Sequence, residues 1–284
     1  MSVLQIGAGA VTTTFGRARR MRGALLVATC VLGVFAVLAV VGPWLVPHDP
    51  NAVSLSDVFG QPSPAHPLGF DVSGRDLFSR LVVGARTAIA GPLILVLVST
   101  VLGVTAALIA AWSGGVVDAV ISRLFDVTLA LPGLLLAIVA AAVFGASLTT
   151  AALALSISYI PYVGRVVRAE AIRQRHRAYV QAAWLQGMSA TRICVTQILP
   201  NLLPLIIAQV VLSLSYAVID IAAMSYLGLG IQPPTADWGT MVASGQSSVL
   251  QGYPIEIIAA SSCVIALVMA LGIVGDALGE RADR

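Results

Sequence analysis

The 284-residue chain is 58% hydrophobic and 10% charged, with a mean hydropathy of +0.94. Soluble domains carry about 25% charged residues, so a shortfall spread over the whole length excludes a soluble globular protein and marks a polytopic membrane protein. The formal charge is +3, every basic residue is arginine and there is no lysine; a Walker A loop needs a lysine on the β- and γ-phosphates and Schiff-base chemistry needs a lysine amine, so this polypeptide carries neither.

Residues 1–22 read as a cytoplasmic tail, flexible through residue 16 and closed by Arg17, Arg19, Arg20 and Arg22. The apolar run 23–46 is long enough for a first span, which needs about 20 residues. It is also too long for a signal-peptide core. Pro43, Pro47 and Pro50 end it, and residues 47–86 read as an extracytoplasmic loop rich in Pro, Ser, Asp and Gly, with a short amphipathic helix through Leu77 and Leu81. The second span is expected from Thr87 to Trp112, followed by a Ser113-Gly114-Gly115 break. The third runs from Val116 to Phe144 across Pro132-Gly133, and Asp126 near its inner end has Arg123 on the same helical face. The fourth runs from Leu148 to Val167, the fifth from Asn201 to Leu227 and the sixth from Ile255 to Leu278. An external loop, 228–252, joins the last two, and residues 281–284 form a short tail.

This count predicts an all-α membrane protein with six transmembrane helices and both termini in the cytoplasm. Thirteen arginines then lie inside and three, Arg75, Arg80 and Arg86, lie outside, as the positive-inside rule requires. The arginines follow membrane sidedness, so a nucleic-acid partner is rejected. Cys30, Cys194 and Cys263 are odd in number and form no CxxC pair, which argues against a disulfide frame or a zinc site. His48, His66 and His176 have no helical metal-ligand spacing. No metal and no cofactor is expected in this chain, and no catalytic set is present.

The polar stretch from Arg165 to Pro204 holds six arginines. One arginine at the bilayer centre costs roughly 2.5–3.5 kcal/mol, so this island must stand in water between two spans. Ala169 to Gln186 has no helix breaker and reads as one surface helix. Gly187 ends it, and Ser189 caps a second helix that runs to Pro200. Read from spacing alone, the island could also be an arginine-rich loop that only anchors orientation.

Within it, QAAWLQGMSATRICVTQILP resembles the EAA-loop signature of ABC importer permeases, which is Glu-Ala-Ala, three residues, Gly, nine residues, Ile, one residue, Leu-Pro. Ala182, Ala183, Gly187, Leu199 and Pro200 occupy matching places. Gln181 replaces the usual Glu, and Gln197 stands at the Ile position with Ile198 beside it. HPLGFDVSGRDLFSRLVVGARTAI, WSGGVVDAVISRLFDVTLALPGLLLA and SYLGLGIQPPTADWG are similar to blocks of the C-type permease of dipeptide, oligopeptide and nickel importers. The resemblance covers about residues 66–280.

That resemblance implies a type I ABC importer fold: a five-helix core over residues 87–280 with a coupling loop at 169–200, whose first helix docks on a separate ATPase. It implies a homologous second permease, two ATPase subunits that bind ATP and magnesium, and an extracytoplasmic substrate-binding protein, all at a bacterial plasma membrane. The cargo implied is a peptide, with nickel or another small solute as alternatives; a stand-alone secondary transporter is the reading from another class. Intramembrane ionisable residues mark pathways, so Asp220 is the pathway candidate, with Ser213, Ser215 and Tyr216 near it. Related sequences tend to place a carboxylate one position later, where this chain has Ile221. Glu256 reads as an interfacial charge, and Asp71, Arg75, Asp76 and Trp238 as candidates for receiving the binding protein.

Overall fold

The computed structural model describes residues 6–282, and it is helical throughout, with no strand among the described residues. The first helix, α1 (Ile6–Leu45), starts well inside the expected tail. Nothing between Ile6 and Gly42 breaks the backbone hydrogen-bond ladder, and Pro43 is accommodated near the helix end. The remainder of both expected tails, 1–5 and 283–284, lies outside the described residues.

The second helix, α2 (Leu77–Ser113), begins ten residues before the expected span. The short helix expected through Leu77 and Leu81 is its first turns, because Asp76 caps it: the carboxylate accepts the Ser79 N–H at 2.8 Å and satisfies a donor the helix start leaves free. At the other end Gly114 and Gly115, both at positive φ, end the helix as expected.

The third span is not one helix. α3 (Gly115–Ala130) and α4 (Gly133–Phe144) meet at a bend of 82°. Pro132 has no N–H, and its ring pushes the preceding residue out of helical geometry. Leu131 is accordingly extended, at φ −95° and ψ 125°. Asp126 pairs with Arg165 rather than with its helical neighbour Arg123, and Asp118 pairs with Arg168, so two ion pairs tie α3 to the fourth span.

That span, α5 (Leu148–Arg175), passes through Pro161 and runs on beyond the expected membrane boundary. It packs along α2 at close range. A Cβ on Gly103 of α2 would lie 2.8 Å from the Ile160 carbonyl oxygen, so only glycine lets the two backbones approach this far. After two short elements described below, α8 (Leu199–Tyr226) forms the fifth span. The expected external loop contains a helix of its own, α9 (Trp238–Leu250), capped by Asp237. Burial pushes the Asp237 carboxyl above its ordinary range against the hydrogen bonds it receives from Thr240 and its neighbours. The last span is α10 (Ile255–Ala282). Five helices are long and apolar enough to cross a membrane, and six spans result when the bent pair is one of them.

Three apolar clusters hold the bundle. One joins α2, α4, α5 and α8 through Leu95, Leu155, Ile221 and Met224. Another joins α1, α2, α8, α9 and α10 around Trp238. The remaining one, at the opposite end, holds the polar island to the core.

Candidate functional site

The island folds into shorter pieces than expected. α5 stops at Arg175, and the backbone turns at His176 and Arg177 before α6 (Ala178–Leu185) begins. The single helix expected over Ala169–Gln186 is therefore two. Nearby contacts hold the break: the Arg175 guanidinium donates to the Ala111 carbonyl at 2.9 Å and lies over the Trp112 ring at 5.4 Å. This clamps the end of α5 to the end of α2, and α6 leaves in a new direction.

Gly187 ends α6 at φ 79°. The Gly187 N–H reaches the Trp184 carbonyl at 2.9 Å and the Met188 N–H reaches that of Ala183 at 3.2 Å. This is the paired Schellman pattern that requires a left-handed residue after the helix end. Ser189 then caps α7 (Ala190–Ile193), its hydroxyl accepting the Arg192 N–H at 3.4 Å. A π-helical stretch, Cys194–Ile198, leads into α8. Such a stretch adds a residue to a turn, and it places Ile198, rather than Gln197, in the core. Leu199 is half-buried on the same cluster, and Pro200 sits in the first turn of α8, where its missing N–H is not needed.

α6 is seated by two side chains. Val180 and Ala183 are buried among Ala107, Val167, Ile193 and Ile198. Tyr179 adds a polar tie: its hydroxyl donates to Gln174 at 2.7 Å and accepts from the Asn201 amide at 3.1 Å, linking α5, α6 and α8. The other face is open. Gln181 and Ala182 are exposed, Trp184 is 64% exposed and Leu185 is 90% exposed. Neither Trp184 nor Leu185 was among the coupling residues expected from the sequence; their signal is an apolar pair in an arginine-rich segment with no apolar stripe to join.

A second feature is a recess in the side of the bundle, open on the face where Tyr162 and Tyr216 are exposed. The bend between α3 and α4 opens a cavity of about 590 Å³ against α5 and α8. Leu131, Pro132 and Gly133 form one wall; Tyr159, Tyr162, Gln209, Ser213, Tyr216 and Asp220 supply most of the polar lining. The Tyr159 hydroxyl donates to the Asp220 carboxylate at 2.7 Å. Of the expected pathway residues, Asp220, Ser213 and Tyr216 line this cavity. Ser215 is buried elsewhere, with its hydroxyl directed back to the Val211 carbonyl. Ile221 is buried in the apolar cluster with Leu95 and Leu155, so position 220 is the one that faces the cavity. Tyr159, Tyr162 and Gln209 were missed, since nothing local in the sequence aims them at Asp220.

Several other candidates prove to be structural. Asp71 and Asp76 are buried, and Trp238 is 1% exposed. The Asp71 carboxylate accepts the Ser73 and Arg75 N–H groups at 2.7 and 2.9 Å and pairs with the Arg75 and Arg80 guanidinium groups at 3.2 and 3.6 Å. Arg80 also donates to the Pro50 and Pro234 carbonyls at 3.1 and 3.2 Å. The Trp238 indole N–H donates to the Leu81 carbonyl at 2.9 Å. These groups bind the two loops to the head of α2, so they are not presented to a docking protein. Glu256 is likewise buried, accepting the Ser244 and Ser248 hydroxyls of α9.

Residues 87–284 match the family described as "Binding-protein-dependent transport system inner membrane component". The chain belongs to this family. It is an ABC importer permease, not an enzyme, and a multi-pass membrane protein. It is similar to the probable D,D-dipeptide transport system permease protein DdpC of Escherichia coli, with 39% identity over 81% of this chain and 77% of that one. It is 32% identical to the dipeptide transport system permease protein DppC of Haemophilus influenzae over 93% and 91%. The nickel transport system permease protein NikC of Escherichia coli is 30% identical over 92% and 94%. A chain of the inward-facing MetNI methionine ABC transporter superposes with a TM-score of 0.58 over 72% of this permease and 97% of that chain, at 16% identity. That likeness supports the type I fold alone. Family membership implies ATPase and substrate-binding partners for this permease.

Proposed function

We propose that this permease forms half of a translocation pathway for dipeptides or oligopeptides and is driven through α6. A homologous second permease supplies the other half. Two ATPase subunits, holding ATP and magnesium, dock on the cytoplasmic side where both termini lie, and a binding protein delivers cargo from outside. The observation that carries this reading is α6 itself: Val180 and Ala183 anchor it to the core while Gln181, Ala182, Trp184 and Leu185 stand in water. A rigid element gripped on one face and bare on the other can transmit a discrete displacement.

Gln181, in place of Glu, makes no side-chain hydrogen bond among the described residues and is free to bond a partner without adding charge. Gly187 and the Leu199-Pro200 entry hold α6 at its angle. The cavity suits the cargo: one carboxylate, Asp220, beside phenol and amide groups offers a cationic amino terminus an ion pair and hydrogen bonds. Peptide cargo is supported by the similarity to DdpC and DppC. Nickel is the second reading, favoured by the similarity to NikC and by the same carboxylate. The test is cross-linking from Leu185→Cys in the assembled importer. A cross-link to the ATPase whose yield changes with nucleotide supports the reading; labelling by a soluble thiol reagent equally with and without the ATPase contradicts it.

A further inference from the structure

The two histidines that sequence spacing left apart come together in space. His48 lies three residues beyond α1, His66 lies in the loop, and Asp76 caps α2. One coordinating atom from each lies within 4.8 Å of the others. We infer that His48, His66 and Asp76 form a binding site for a divalent transition-metal ion, at the end of the bundle opposite α6. The inference rests on these side chains and is independent of the cargo.

Each residue is held for the role. The His66 backbone closes a turn with Ser63, exchanging hydrogen bonds at 2.9 and 3.0 Å, and its ring packs at a tilt against those of His48, at 4.2 Å, and Phe70, at 4.3 Å. Asp76 is buried. One carboxylate oxygen is committed to the Ser79 N–H, and the other faces His66 Nδ1 at 2.9 Å. With metal–ligand bonds of about 2.0–2.1 Å, two ligands at right angles stand about 2.9 Å apart. The same separation therefore serves a hydrogen bond without metal and a shared ion with it. On the His66–Asp76 side the change requires the tautomer of His66 that carries its proton on Nε2; on the other side the ligand atoms, within 4.8 Å of one another, draw together by a turn of the His48 ring.

The hydrogen bond accounts for His66 and Asp76 and leaves His48 unexplained. His48 Nδ1 is closed off from water and has no hydrogen-bond partner among the described residues. Buried polar atoms are normally satisfied, and a cation shared with His66 and Asp76 would give the His48 imidazole a partner. Two imidazoles and one carboxylate suit zinc, nickel, cobalt or iron(II) rather than magnesium or calcium, which prefer oxygen ligands. Three protein ligands leave further positions for water. The ion would join the end of α1, the loop and the start of α2.

The test uses the full chain in nanodiscs, carrying a histidine-free tag, stripped with chelator and titrated with cobalt(II). The expected result is one cobalt per chain, a visible d–d absorption, and displacement by zinc. His48→Ala and His66→Gln should each weaken binding by about tenfold or more, while His176→Ala leaves it unchanged. Zinc should raise the melting temperature of the wild type and not of His48→Ala. X-ray absorption on the wild type, which needs no variant to fold, should report two imidazole ligands. No saturable spectrum, binding that survives both histidine substitutions, or an all-oxygen shell would overturn the assignment.

Discussion

Asp220 and Ile221 are sequence neighbours with opposite surroundings: one carboxylate in a cavity, one aliphatic side chain in a packed core. Hydrophobic periodicity can separate the two faces of a helix, but it cannot say that Tyr159, 61 positions earlier, will meet the carboxylate. Asp220→Asn keeps the volume and loses the charge. Uptake of a cationic cargo should fall by about tenfold, close to 1.4 kcal/mol, with assembly unchanged; unchanged uptake across the same substrates would remove Asp220 from the pathway. Trp238 teaches a related lesson. It reads as an external aromatic, yet its indole bonds the Leu81 carbonyl, 157 positions away. Trp238→Ala should cost about 3–5 kcal/mol, measured as a lower melting temperature in detergent. At Asp76, burial pushes the carboxyl up, but hydrogen bonds from Ser79 and His66 outweigh it and hold it below the usual range. A depressed carboxyl stabilises the fold above its unfolded value and loses that contribution as pH falls through the folded one. The melting difference between wild type and Asp76→Asn should therefore be full at neutral pH and shrink below about pH 4; a constant difference would contradict this.

At the scale of elements, the apolar runs made the spans legible, and the arginine density made the island legible. What escaped was geometry set by a few residues. Pro132-Gly133 was visible as a pair, but whether neighbours would straighten it or leave it bent depends on packing, and the bend is 82°. The residues of that bend form one wall of the cavity. Pro132→Ala restores the missing N–H and should straighten the span, lowering transport while the complex still assembles; wild-type transport would show that the bend is dispensable. Likewise nothing at His176-Arg177 forbids a helix, and the break there comes from the Arg175 grip on Trp112 and Ala111. Gly187 was legible as a terminator because glycine alone adopts its φ of 79° without strain. A Cβ at Gly187 meets nothing within 4 Å, so Gly187→Trp acts through backbone strain of about 1–2 kcal/mol and through a bulky group on the proposed docking face. It should abolish transport and leave the permease in the membrane.

At the scale of the whole molecule, the proposed assembly makes this permease one of two that enclose a pathway. Its exposed apolar surface, including Leu97, Leu124, Val139 and Ile258, suits lipid and, in the proposed assembly, a second permease; without lysine, this sequence has no Walker A site. The loops that looked like a docking face are instead folded into the head of α2 by Asp71, Arg80 and Trp238. Energy would enter at α6 and be felt at the cavity through α5 and α8, the two helices that both features share. The most direct measurement is uptake into liposomes holding this permease with its companion permease and ATPases, supplied with the binding protein and a labelled dipeptide. Uptake that requires ATP and disappears with Gly187→Trp is the predicted result. Dipeptide flux through this chain alone, without ATPase or ATP, would contradict it.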